Sequence, residues 1–201
     1  MNPNWAEENL QTIRTLMERS TLYRRALAPV FIFAGVIGVL AMAVGLIFRL
    51  NSPHQFGGLW MGTAVVTVLG ALLIVRRQAF KESATFWSPP TRRITQALLP
   101  PLVAGMIWGA MVTWSGAFEE LLPFIWALFY GCALHSAGFF TSRGVKWFGW
   151  VYIASAPLLI VFLTVVQRPV SNHLIMGFFF GVLHLAYGAY LYLTEKRKNA
   201  A

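Results

Sequence analysis

The chain has 201 residues, 57% of them apolar and 11% charged, with a formal charge of +9 and no aspartate. That balance excludes an ordinary soluble domain and matches a polytopic membrane protein. The single cysteine, Cys132, excludes an intramolecular disulfide and a thiolate cluster for zinc or iron–sulfur.

Residues 1–25 are polar, contain Glu7 and Glu8, and carry no signal-peptide pattern. Within them, 4–24 read as an amphipathic helix on the cytoplasmic face of a membrane. Asn4 and Glu7 make a capping-box-like start. Trp5, Leu10, Ile13 and Met17 recur at helical spacing between polar residues, and Arg14 and Glu18 are placed to pair one turn apart. Such a helix orients the first span by lying in the interface, and Leu10, Ile13 and Met17 are candidates for docking a protein partner.

Residues 26–48 form an uncharged stretch between Arg24-Arg25 and Arg49. At ~1.5 Å of rise per residue, a helix of that length covers the ~30 Å hydrocarbon core of a bilayer. Five further spans follow at 55–75, 95–114, 121–140, 147–167 and 174–193. The second stops at Arg76-Arg77, and in the third Pro100-Pro101 read as the first turn of its regular part. The fourth is entered through Pro123. The predicted fold is all-α: a six-transmembrane-helix bundle over 26–193, preceded by the cytoplasmic amphipathic helix (1–25) and followed by a basic tail (194–201).

Charge placement sets the orientation. Four Arg precede the first span, five Lys/Arg lie in the 76–94 loop, two lie between spans four and five, and three lie in the tail. Only Arg49 and Arg168 fall on the other side. This positive-inside pattern predicts cytoplasmic termini and contact with anionic headgroups rather than nucleic acid. Short external loops make a bacterial inner (plasma) membrane the default. In the 76–94 loop, Pro89-Pro90 cannot continue a helix. Phe86, Trp87, Arg92 and Arg93 beside them suit the headgroup level or a partner's surface.

Small residues recur four apart at Gly58/Gly62, Gly105/Gly109 and Gly177/Gly181, with Ala34/Gly38 and Ala41/Gly45 in the first span. Such faces let helix backbones approach, within one bundle or in a homo-oligomer.

None of the spans contains Asp, Glu, Lys or Arg, which counts against an ion-coupled pump. The intramembrane polar candidates are Tyr130, Cys132, His135 and Ser136 in span four, and His184 and Tyr187 in span six. They admit interhelical packing bonds, a ligand or permeation path lined by His135, His184 and Tyr187, or bis-histidine haem ligation by His135 and His184. Six spans, the stretch HSAG (His135–Gly138) and His184 also superficially resemble the rhomboid proteases, which implies Ser136 as nucleophile with His184 as base. Leu134 replaces the glycine of that family's GxS motif, and Ser136 falls near the cytoplasmic end, opposite to the family's working side. The hydrolase reading is therefore set aside. His54 and His173 fall in external loops, and no phosphate-binding glycine loop, HExxH helix or dinucleotide fingerprint is present. The leading expectation is a non-enzymatic accessory, scaffolding or sensory subunit without cofactor, metal or catalytic residues, meeting a partner at its cytoplasmic face. The alternative is a small transporter or channel with its path near His135 and His184.

Overall fold

The computed structural model describes residues 26–81, 86–167 and 170–200, with side chains to Thr194. The expected amphipathic helix, with Leu10, Ile13 and Met17, lies outside the described residues. Among the described residues every regular element is helical: α1 (Ala26–Ile47), α2 (Pro53–Lys81), α3 (Pro89–Ser115), α4 (Leu122–Ala137), α5 (Arg143–Val166) and α6 (172–200). A single 3-10 turn, Glu119–Leu121, leads into α4. All but α4 are long and apolar enough to cross a membrane, at 22, 29, 27, 24 and 23 residues, counting α6 as Asn172–Thr194. α4 has 16 residues, half of them buried.

The helix ends follow from local chemistry. α1, α3 and α5 are each followed by a residue in the left-handed region: Arg49 (φ 50°), Gly116 (φ 64°) and Gln167 (φ 51°). The Gly116 N–H returns to Val112 O and the Gln167 N–H to Leu163 O, both at 3.0 Å, which satisfies carbonyls the helix would orphan. α2 continues at least six residues past Val75, through Arg76 and Arg77 to Lys81.

α3 corrects one expectation. It starts at Pro89 rather than at Pro100-Pro101, with Ser88 extended at its N-cap and Pro89-Pro90 in the first turn, where a missing N–H costs nothing. Pro100 and Pro101 lie inside the helix, each removing one backbone bond that membrane helices can satisfy from neighbours.

α4 is the element around which the others pack. Its Phe124, Ala127 and Leu134 join Phe31 of α1, Phe148 and Tyr152 of α5, and Phe179 of α6 in one buried cluster. Its Leu122 joins Phe56 and Trp60 of α2, Val112 of α3 and Met176 of α6 in another. In lipid, close packing rather than water exclusion holds such helices together, so missing side chains matter. Gly131 of α4 and Gly149 of α5 face one another; a Cβ on Gly149 would sit 2.8 Å from Gly131 O. α1 meets α6 the same way, Gly38 lying against the Phe180 carbonyl. α2 is the least enclosed helix: Val65, Val66, Leu69 and Leu73 are all more than half exposed.

Candidate functional site

The centre of the bundle is built on an irregularity in α6. Gly177–Val182 winds as a π-helix, so Leu183 N–H reaches back five residues to Phe178 O. A π-turn is wider than an α-turn and often marks a functional position. Here the Phe179 carbonyl accepts from side chains instead: the Tyr152 hydroxyl of α5 donates to it, and His184 Nδ1 lies 3.1 Å away. Tyr152 Oη is also 2.9 Å from His184 Nδ1, and Tyr130 Oη of α4 is 2.7 Å from His184 Nε2.

The donor count fixes one arrangement. A carbonyl oxygen only accepts, so Nδ1 beside Phe179 O carries the imidazole proton. Nε2 is then the bare nitrogen and accepts from the Tyr130 hydroxyl. Tyr152 gives its one proton to Phe179 O and accepts from Nδ1–H. Every hydrogen of this His–Tyr–Tyr cluster is used with the imidazole neutral. His184 is 2% exposed and Tyr152 0%, so an unmet group here would be costly. Phe31, Phe148 and Phe180 enclose the imidazole, with ring centroids 5.7, 5.8 and 6.0 Å from it.

The sequence candidates separate in space. Tyr130 and His184 meet directly. Tyr187 stacks on Phe148 at 4.3 Å and shares Phe31 and Phe148 with His184, but its hydroxyl lies beside Gly144. His135 has different ring neighbours: Phe139 and Trp150 meet its ring edge-on at 5.3 and 5.2 Å, and its buried Nδ1 has no hydrogen-bond partner among the described residues. Cys132 and Ser136 are half-buried on α4. Among the described residues no aromatic ring packs on both His135 and His184, and a ligating role for His184 Nε2 would require it to give up Tyr130.

Two features had no sequence signal strong enough to find them. Tyr152 reads as an ordinary mid-span aromatic, and the π-turn hides in a Gly-Phe-Phe-Phe-Gly run. His173, expected in an external loop, instead sits 1% exposed in the first turn of α6. It donates from Nε2 to Leu50 O at 3.0 Å and accepts at Nδ1 from the Trp60 indole at 3.2 Å, clamping α6 to the α1–α2 connection and to α2. Ser171 caps that turn by accepting from the His173 N–H, which is why the helix begins before the expected span.

Beside the cluster lies a cavity of about 180 Å³ between α1, α2, α3, α4 and α6, reaching Tyr130 and His184. The α2–α3 corner forms a second surface. Thr91 donates to Phe86 O at 2.8 Å and is 3.0 Å from Ser88 Oγ, locking the turn. Trp87 is 54% exposed, and Arg92 and Arg93 are exposed beside it.

The fold and this site define an all-helical protein whose long apolar helices fit a multi-pass membrane protein. No family model, curated protein or solved structure matches the chain.

Proposed function

We propose that the chain is a six-span inner-membrane protein with both termini cytoplasmic, acting as a non-enzymatic accessory or sensory subunit that meets a protein partner at its cytoplasmic face. α4 supplies the sixth crossing. Its 16 residues rise ~24 Å at ~1.5 Å each, and the preceding 3-10 turn adds ~6 Å at ~2.0 Å each, close to the ~30 Å required. Being enclosed by other helices, it need not match the lipid length by itself.

The observation that carries the functional reading is the α2–α3 corner. A rigid, proline-started turn holds Trp87 outward beside Arg92 and Arg93, the aromatic and arginine types that anchor protein interfaces. The same groups suit anionic headgroups. By contrast, the intramembrane polar groups at His184 are spent on one another, and the adjoining cavity is walled mostly by apolar side chains, which argues against a hydrophilic path through His135 and His184.

The test is gentle detergent extraction of the full chain, comparing the wild type with Trp87→Ala/Arg92→Glu/Arg93→Glu. The reading expects a protein that co-purifies with the wild type and is lost from the variant, while membrane insertion is unchanged. A partner retained at equal yield, or a wild type that purifies alone, contradicts it.

A further inference from the structure

The cavity beside His184 has the properties of a binding pocket rather than a packing fault. Its volume, about 180 Å³, slightly exceeds the ~150 Å³ apolar cavity that in an engineered core stays dry and takes up benzene. Water needs two or more polar partners to stay in such a space. Here the donors on the wall are already used. Trp60 donates to His173, Thr63 to Leu59 O, Trp126 to Gly105 O at 3.0 Å and Tyr130 to His184, leaving the Thr67 hydroxyl on the α2 side. The rest of the lining is hydrocarbon, aromatic ring or thioether, including Ala34, Leu102, Phe129 and Phe180.

The exposed members of the wall are Ala64 and Val68 on α2 and Met106 on α3, the last two 51% and 48% exposed. They lie near the middle of helices long enough to span a bilayer, so the mouth faces hydrocarbon and not water. α2, which forms much of the rim, is also the helix least held by the bundle. What stands opposite the mouth in a membrane is the acyl chain of a lipid.

We propose that this cavity seats the hydrocarbon chain of a membrane lipid, which enters sideways past α2 and α3 and ends against the Tyr130–His184 pair. The chain supplies the packing that α2 lacks from protein and keeps the cluster dry.

The test uses the full chain in phosphatidylethanolamine/phosphatidylglycerol vesicles doped with a phosphatidylcholine carrying a mid-chain diazirine. After photolysis, adducts are mapped by mass spectrometry in the wild type and in Ala64→Phe, which places a ring at the mouth. The proposal expects adducts on Trp126 and Phe129, falling several-fold in Ala64→Phe while those on outward-facing Leu69 persist. Thr67→Leu replaces Ala64→Phe if the latter does not fold. Adducts confined to Leu69 and Leu73 overturn the proposal. So do Trp126 and Phe129 adducts that neither filling variant reduces, and a mouth shielded by a second copy of the chain.

Discussion

Replacing Tyr130 by Phe removes one oxygen and little else, so it isolates the bond on which the His–Tyr–Tyr arrangement turns. Tyr130 Oη lies 2.7 Å from His184 Nε2, and the donor count makes it the donor. Without it, Nε2 is left with a lone pair facing aromatic rings and an apolar cavity, since the Tyr152 hydroxyl and Phe179 O both sit at Nδ1. Interhelical hydrogen bonds in membranes average ~0.6 kcal/mol and reach ~1.7, because unfolded helices also find partners. A buried acceptor stripped of its donor costs ~1–3 kcal/mol. Tyr130→Phe is therefore expected to lose about 1–2 kcal/mol in reversible denaturant unfolding in mixed micelles. Tyr152→Phe is expected to lose less, about 0.6 kcal/mol, because Phe179 O keeps His184 Nδ1–H as a donor at 3.1 Å. A double-mutant cycle of Tyr130→Phe with His184→Leu should return a coupling of about 1 kcal/mol. Equal stability of Tyr130→Phe and the wild type, or a Tyr152→Phe loss larger than the Tyr130→Phe loss, refutes the assigned proton positions.

Gly38→Ala drives a methyl into the Phe180 carbonyl and should cost ~1–3 kcal/mol, whereas Gly58→Ala, whose Cβ meets nothing within 4 Å among the described residues, should fall within ~0.5 kcal/mol of the wild type. The same unfolding assay reads both, and equal losses would remove the distinction between packed and open glycine faces. Gly116→Ala puts a side chain at φ 64° and is expected to cost ~1–2 kcal/mol, with a lowered Tm as the readout. Trp60→Phe deprives His173 Nδ1 of its donor and should cost ~1–3 kcal/mol, with faster amide exchange in the first turn of α6. Unchanged exchange there would mean that the clamp does not hold α6.

Long uncharged runs and the residues that end them made the membrane-type helices legible. Hydrocarbon demands internal pairing of every backbone group, so composition alone dictates helix. Boundaries were less legible: a span ends where lipid ends, while α2 reaches at least to Lys81 and α3 already starts at Pro89, both well beyond the expected spans. The glycine spacing pointed to close contacts but could not say which faces are filled. Gly105, Gly109, Gly177 and Gly181 meet neighbouring helices, and Gly58 and Gly62 meet none among the described residues. Of the site, Tyr130 and His184 stood out as polar groups in apolar runs. Tyr152 did not, because its role comes from a carbonyl turned toward it by the π-segment, and a change of helical pitch leaves no mark on residue type.

The account stands or falls on whether α4 crosses the membrane, since that sets the side of every element after it. In a Cys132→Ala background, single cysteines at Ala117, between α3 and α4, and at Ser142, before α5, are labelled with a membrane-impermeant maleimide on intact cells and on inverted vesicles. The account predicts Ala117→Cys labelled from outside the cell and Ser142→Cys only from the cytoplasmic face. Labelling of both from the same face would contradict it.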